Sequence, residues 1–357
     1  MKIGVFSNAW SARQGGGVAE IAAYANVLRE FGSVELNFLA RITAEEIKEL
    51  FAIDLMGVRV SVRSNSTASI ARRFPRIHNA LSDKAYDLVI RQSTAIPHPT
   101  VCARAFLLVN FPFQNRVARR ERLYLKTYTN IIANSSFTSG WISKRWGWDA
   151  MVVNPPVRQV MPLVKKPIIL AIGRFSGGKR SKHQLEMIEA FKRLMSSGIS
   201  GWELHLCGTE EDSLYLRQVK ENAEGLPVYT HVNVPVSQLN TLIGEASIFW
   251  HATGVAHREQ DNPELMEHFG MSTAEAMSAG CVPVVINKGG QKEVVGPNLS
   301  EWTWQQWPEC VTKTRRLIQS TALLEQLAGV ARQQANLFSF ATFQERVRPL
   351  ASSMLNN

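Results

Sequence analysis

The sequence has no apolar run approaching the roughly 18 residues that a membrane span requires. Stretches such as SIFW (247–250) and PIILAI (167–172) have the length of strands. The opening MKIGVFSNAW carries one lysine and a short apolar stretch that soon meets Ser7 and Asn8, too brief for the apolar region of a signal peptide. The expected location is therefore the cytoplasm. Cysteine is scarce: Cys102, Cys207, Cys281 and Cys310 lie far apart, with no Cys-x-x-Cys, which excludes a disulfide framework and predicts reduced thiols. His251, His257 and His268 lack a zinc spacing, and no Asp-x-Asp pair stands at a strand end, so no metal is expected. No low-complexity tract and no usable internal repeat occur, and a composition 45% hydrophobic and 20% charged carries no bias toward disorder.

What remains is a globular chain of 357 residues, longer than one hydrophobic core usually grows, so two domains are expected. The net charge of +10 fits a nucleic acid, an anionic membrane surface or a phosphorylated substrate without choosing among them. The first half starts with KIGVF, a polar turn and the triplet Gly15-Gly16-Gly17. VAEIAAYANVLREFG then has helical spacing and reads as a helix stopping at Gly32. VELNFL, YDLVI, AFLLV and NIIAN are further strands alternating with helical stretches, the grammar of stacked βαβ units. Prolines 155, 156, 162 and 167 interrupt this order and mark a linker, after which IILAI, WELHLCG, PVYTHV, SIFWHATG and VPVVIN restart it. The expected architecture is α/β with two Rossmann-like doubly wound domains, 1–160 and 161–335, facing across a cleft, and a terminal helix within 336–357 crossing back to the first.

EHFGMSTAEAMSAG (267–280) carries the most specific signal. A helix starting just after Gly270 puts Ser272 and Thr273 in its first turn and Glu275 a little over one turn in, with Glu267 on the preceding loop. Eight positions of helix would hold the two carboxylates about 12 Å apart and turned by roughly 80°, which is no acid/base dyad. Between them lies a helix N-terminus, whose free N–H groups and dipole attract an anion. A nucleotide sugar matches this layout: sugar hydroxyls at one end, a diphosphate in the middle, ribose hydroxyls at the other, with a carboxylate for each set of hydroxyls. As a bare pair the glutamates read as surface acids beside an N-terminus; the ordered string around them changes that.

EHFGMSTAEAMSAGCVPVVINKGGQKEVV resembles the donor-binding segment of glycosyltransferase family 4, retaining enzymes of the GT-B fold whose signature is two glutamates separated by seven residues. His-Phe-Gly after the first glutamate is similar to the form in lipid-linked oligosaccharide mannosyltransferases. The resemblance implies that Glu267 faces the donor sugar, that Glu275 holds the ribose, and that backbone amides near Phe269, Gly270, Met271 and Ser272 line the sugar and phosphates. It implies no cofactor, the nucleotide diphosphate sugar being a substrate.

Cleavage of a sugar–diphosphate bond leaves charge that preorganised cations stabilise. AIGRFSGGKRSKHQLEMIEAF offers Arg174, Lys179, Arg180 and Lys182. In the resembling family an arginine and a lysine of this segment bind the diphosphate, and a lysine five residues after the arginine is common, which selects Lys179. Counting back from the helix IEAF selects Lys182 instead, with three extra residues in the loop. Arg174 and Lys182 are the primary candidates and Lys179 the alternate, beside the plain reading of a solvated basic loop. Gly16 and Gly17 would let backbone approach a phosphate or sugar closely, or form only a tight turn. The resemblance implies that they complete the donor site from the other domain. His251 stands at a strand end as a donor-side candidate, and His98, on a proline-rich loop, as an acceptor-side one. Taken alone, either reads first as a structural histidine.

RVARRERLYLKTY places Arg116, Arg119, Arg120, Arg122 and Lys126 on one arc if helical, opposite Val117, Tyr124 and Tyr128, and ARRFPR (71–76) adds charge in the same domain. This is either a solvated face or a peripheral contact with anionic lipid. The sequence thus reads as a retaining hexosyltransferase, moving a mannose- or glucose-type sugar to a glycan or lipid-linked acceptor in cell-surface polysaccharide or glycoconjugate synthesis. A nucleotide-sugar epimerase of the same fold is the alternative. A nucleic-acid-binding protein is less favoured, because the basic residues carry no stacking-platform or helix-turn-helix pattern.

Overall fold

The structure, a computed structural model, describes residues 1–9, 11, 15–62, 83–97 and 99–355. The described residues fall into two compact units, Met1–Arg158 with Phe338–Asn357, and Gln159–Leu337. The sheet of the first unit contains β1 (Lys2–Phe6), β2 (Ser33–Phe38), β3 (Val58–Val62), β4 (Leu88–Ser93), β5 (Ala105–Val109), β6 (Asn130–Ala133) and β7 (Met151–Val152). Their order is β3-β2-β1-β4-β5-β6-β7, and every pairing is parallel. Helices α1 (Gly16–Leu28), α2 (Ala44–Phe51), α3 (Arg119–Leu125) and α4 (Ser136–Trp146) accompany it. The central strands explain the arrangement: AFLLV is buried at every position, which suits a strand covered on both faces and not one with a solvated face.

The second unit repeats the plan with β8 (Lys166–Ile172), β9 (Glu203–Gly208), β10 (Val228–Val232), β11 (Ala246–His251), β12 (Val282–Ile286) and β13 (Thr303–Trp304), all parallel in the order β10-β9-β8-β11-β12-β13. Its helices are α5 (Gln184–Ser196), α6 (Ser213–Ala223), α7 (Val236–Glu245), α8 (Met271–Ser278), α9 (Gln291–Val295), α10 (Trp307–Ile318) and α11 (Thr321–Asn336). Buried tryptophans tie helix to sheet, with Trp250 Nε1 donating to Thr314 Oγ1 at 2.9 Å and Trp304 Nε1 to the Val284 carbonyl at 3.1 Å.

The tail forms α12 (Phe340–Leu355), which packs on α1 of the first unit. Tyr24 meets Phe343 edge-on with ring centroids 5.0 Å apart, and Arg348 grips Glu30 through two 2.8 Å bonds. The ion pair is exposed and screened by solvent, so the buried aromatic contact contributes more to holding the tail.

Two local expectations need correction. Helix α1 ends at Leu28 and not at Gly32. Gly32 serves a close approach instead, since a Cβ there would lie 2.1 Å from the Met1 carbonyl oxygen, beside the bond from Ser33 N–H to that oxygen. The basic helix α3 covers only Arg119–Leu125, leaving Arg116 outside it. VRVSV, an alternating and half-exposed run, forms the edge strand β3, which a search for continuous apolar runs passes over. Residues 71–76 lie outside the described residues.

A carboxyl sits inside the apolar helix α1. Glu20 is 2% exposed, and burial pushes its pKa up to about 8, partly offset by the Asn110 amide that donates to it. The same end of the sheet holds the start of α1, where Gln92 Nε2 donates to the Gly17 carbonyl at 2.8 Å and Gln92 Oε1 accepts from Ser7 Oγ at 2.9 Å. A carboxyl whose folded pKa exceeds its unfolded value favours folding below the unfolded pKa, and that contribution is lost as pH rises toward about 8. Unfolding free energy should therefore fall between pH 5 and pH 8 by up to about 1.4 kcal/mol per pH unit from this group alone. In Glu20→Gln the fall should be shallower. Denaturant titrations at pH 5 and pH 8 measure both slopes, and equal slopes would contradict the assignment.

Candidate functional site

In each unit the strand order reverses beside the first strand, between β1 and β4 and between β8 and β11. Ligands of doubly wound sheets bind beyond the carboxyl ends of the strands at such a point. The second unit loads this point with charge. After β8 the chain passes Gly173 and Arg174 and makes a short 3-10 turn, Gly178–Arg180, before α5. His183, the N-cap of α5, adopts φ 63° and ψ 37°, a left-handed conformation costing a non-glycine residue about 1 kcal/mol. Two bonds hold it there: its N–H on Ser181 Oγ at 2.9 Å, and its Nδ1 with Glu186 Oε1 at 2.9 Å. The turn lays the Lys182 stem over Gly173, where a Cβ would lie 2.6 Å from Lys182 Cγ.

From there the Lys182 ammonium donates to Glu267 Oε2 at 2.8 Å. His251, the last residue of β11 and 3% exposed, brings its Nε2 within 3.2 Å of the same oxygen, and Thr253 Oγ1 lies 3.2 Å from that nitrogen. Burial pushes the Glu267 carboxyl up, yet the adjacent Lys182 ammonium and the His251 bond outweigh it and hold the carboxyl well below the usual range. Burial lowers the pKa of His251, so the ring is neutral near pH 7, and a carboxylate facing Nε2 selects the tautomer with its proton there. Burial likewise drops His268 to about 4. The cluster is thus one fixed carboxylate, one ammonium and a neutral imidazole donor.

Three residues past Glu267 the chain enters α8 through Gly270, whose φ of 119° suits only glycine. A side chain would also crowd the fully buried Gln291 amide, which a Cβ would meet at 3.0 Å. In the second unit Asp212 caps α6 and Ser320 caps α11, whereas α5, α7, α9 and α10 have no side-chain cap. Helix α8 has no side-chain cap and no acid in its first turn. Its first backbone bond runs from Ala274 N–H to the Gly270 carbonyl at 3.1 Å, so the amides of Met271, Ser272 and Thr273 precede the helical ladder. Glu275 is the fifth residue of the helix and half-buried, while Phe269 is buried.

The structure therefore brings Lys182, His251 and Glu267 together on the approach to α8. Arg174 instead donates to Glu211 Oε1 at 2.7 Å, both side chains being nearly half-exposed, and Lys179 is exposed on the 3-10 turn. Gly16 and Gly17 open α1 in the first unit, behind Gly15 and again without a side-chain cap. His98 lies outside the described residues. Among the described residues no three His, Cys, Asp or Glu side chains gather as a metal-ligand group. Sequence reasoning missed the left-handed His183 and the Lys288-Gly289-Gly290 turn beneath Glu267. Only the glycine pair carried a visible signal.

Residues 157–328 match the family model for glycosyl transferases group 1. The chain is similar to GDP-Man:Man(3)GlcNAc(2)-PP-Dol alpha-1,2-mannosyltransferases. Identity is 24% over 259 residues with that of Dictyostelium discoideum (64% of this chain, 48% of the relative) and 29% over 196 residues with that of Homo sapiens (48% and 37%). It spans about half the length, or less, of these curated relatives. Among solved structures it resembles a glycosyltransferase from Rickettsia africae (TM-score 0.74, 17% identity, 100% and 99% of the two chains). It also resembles Anabaena HepE in complex with UDP and glucose (0.73, 16%, 99% and 100%). A third is WaaG, a glycosyltransferase involved in lipopolysaccharide biosynthesis (0.63, 12%, 98% and 99%). The fold is the two-domain α/β GT-B fold, and nearly all of the stretch that matches the family model lies in the second unit.

Proposed function

We propose that the protein is a retaining glycosyltransferase of family 4 that needs no metal. It moves a mannose- or glucose-type hexose from a nucleotide diphosphate sugar to a hydroxyl of a glycan or lipid-linked acceptor in cell-surface polysaccharide or glycoconjugate synthesis. The observation that carries this reading is the Lys182–Glu267–His251 cluster leading directly into an uncapped helix N-terminus. The mannosyltransferase relatives use GDP-Man by name, and HepE was seen with UDP and glucose, so both donor types belong in the test. Neither the epimerase nor the nucleic-acid reading finds a counterpart among these relatives.

In this reading the diphosphate docks on the amides of Gly270, Met271 and Ser272, where helix dipole and free N–H groups act together. Glu267 accepts hydroxyl hydrogen bonds from the donor sugar, His251 borders the same sugar, and Glu275 takes the ribose. Lys182 and Arg174 stabilise the leaving diphosphate, with Lys179 as reserve. Arg174 gives up little by leaving Glu211, since a half-exposed ion pair is worth about 0–1 kcal/mol and a bidentate phosphate contact is stronger. The acceptor hydroxyl then attacks from the face the diphosphate leaves, its proton passing to a phosphate oxygen.

The first unit also presents a surface where Arg116, Arg119, Arg120, Arg122 and Lys126 are all at least partly exposed beside Phe113 and Leu123, which are 38% and 57% exposed. Tyr128 turns inward and is buried. Exposed cations and exposed apolar side chains on one stretch of chain fit peripheral binding to an anionic bilayer, where a lipid-linked acceptor would be presented. No described helix is long and apolar enough to cross a membrane.

Three outcomes are expected. In a thermal-shift panel of GDP-, UDP-, ADP- and dTDP-sugars, one nucleotide should stand out, stabilising by about 2.7 kcal/mol at one hundred times its Kd. Arg174→Ala and Glu267→Ala should then lose on the order of 100-fold or more in turnover with folding intact, and wild-type turnover in both would refute the assigned roles. In flotation assays the protein should bind vesicles containing phosphatidylglycerol in preference to phosphatidylcholine alone. Arg119→Glu with Arg122→Glu should abolish that preference, and equal binding to both vesicles by the wild type would remove the membrane proposal.

A further inference from the structure

The turn Lys288-Gly289-Gly290, between β12 and α9, touches three stretches of the second unit. An ammonium has three protons to donate. Lys288 Nζ directs bonds to the carbonyls of Gly254 at 3.1 Å, Val255 at 3.1 Å and His257 at 2.8 Å. These carbonyls belong to the turn that follows His251 and Thr253. The next amide, Gly289 N–H, donates to Glu259 Oε2 at 2.8 Å, a carboxylate that also holds Lys292 Nζ at 3.1 Å. Gly290 N–H then donates to the carbonyl of Glu267 itself at 2.7 Å.

These contacts are closer than side chains permit. A Cβ on Gly289, at φ 61°, would lie 2.3 Å from the Glu267 carbonyl oxygen, and one on Gly290 would lie 2.4 Å from that of His268. On the other flank a Cβ on Gly254 would lie 2.7 Å from Met266 Sδ. The peptide that carries Glu267 therefore runs between two walls, the turn at Gly254 and the turn at Gly289-Gly290. Lys288 bonds one wall to the other. His251 enters the cluster from the strand feeding the first wall, and Glu267 hangs from the peptide pinned to the second.

We propose that Lys288 is a positioning residue: by joining these two turns it sets where the Glu267 carboxylate lies relative to His251 and the start of α8, and hence how the donor sugar is held. The proposal rests on the reading of Glu267 as the carboxylate that receives the donor sugar. A replacement without an ammonium leaves three loop carbonyls without their donor, and the wall at Gly254 is free to shift away from Met266 and Glu267. The diphosphate and nucleoside contacts lie on other elements, so they persist. The signature is a selective loss: the sugar's part of the binding disappears and the nucleotide's part stays.

Calorimetry with the full chain tests this, using GDP against GDP-mannose and UDP against UDP-glucose, together with turnover of whichever sugar nucleotide the wild type binds. Lys288→Met should bind the nucleoside diphosphate within about two-fold of wild type. It should lose the additional affinity contributed by the sugar and fall on the order of 100-fold in kcat, as small misplacements of catalytic groups do. Lys288→Arg, which keeps the charge but not the three-way geometry, should recover part of kcat. Should Lys288→Met not fold, Glu259→Gln, which loosens the same wall and leaves the lysine in place, should show a smaller loss of the same selective kind. A variant that weakens both ligands of a pair equally, or that keeps wild-type kcat and sugar affinity, would overturn the proposal. A wild type that binds neither sugar nucleotide would overturn the donor reading and this proposal with it.

Discussion

The second unit depends on a carboxylate that stays charged although burial opposes it. Glu267 keeps its charge because the Lys182 ammonium lies 2.8 Å away and His251 adds a bond at 3.2 Å. Breaking such a pair by removing one partner is far more costly than the net worth of the pair suggests, since a partly desolvated charge is left behind. That asymmetry explains how much of the second unit is arranged around it: the left-handed His183, the bare Gly173 under the lysine stem, and the glycine pair beneath the Glu267 peptide. None of these features stabilises the fold in an obvious way on its own. Together they fix one ammonium, one carboxylate and one imidazole in mutual reach.

The fold supplies the place for this cluster. In an all-parallel sheet ordered β10-β9-β8-β11-β12-β13, the strands flanking the reversal, β8 and β11, send their following segments to opposite sides of the sheet. Lys182 arrives from the segment after β8 and His251 from the end of β11, so the reversal itself brings the two together. Glu267 joins them from the loop ahead of α8, and the helix amides follow within a few residues. The first unit has the same reversal between β1 and β4, where Ser7, Gln92 and the start of α1 are bonded together and Glu20 is buried.

Much of this was legible in the sequence, for reasons that differ by element. Central strands such as AFLLV and VPVVI announce themselves because burial on both faces demands continuous apolar runs, and the helix after Gly270 because glycine and the apolar periodicity coincide. Edge strand β3 and the short β7 were silent, as half-exposed pairing needs little hydrophobicity. Around the site, the glutamates and the basic loop stood out by type and spacing. Counting back from the helix selected Lys182 but left Lys179 as the alternate, because where each side chain goes depends on how a 3-10 turn and a left-handed histidine aim the chain. Lys288 was invisible for a related reason. Its partners are three backbone carbonyls, which every residue possesses, so no side-chain pattern betrays them.

If the cluster serves catalysis as proposed, a diphosphate binds at the start of α8, between Glu267 and Glu275. A crystal structure of the protein with its sugar nucleotide decides this. Phosphate oxygens are predicted within about 3.2 Å of the backbone nitrogens of residues 270–272, with sugar hydroxyls on the Glu267 carboxylate. A ligand bound with its phosphates elsewhere, leaving those amides and Glu267 untouched, would contradict the donor site described above.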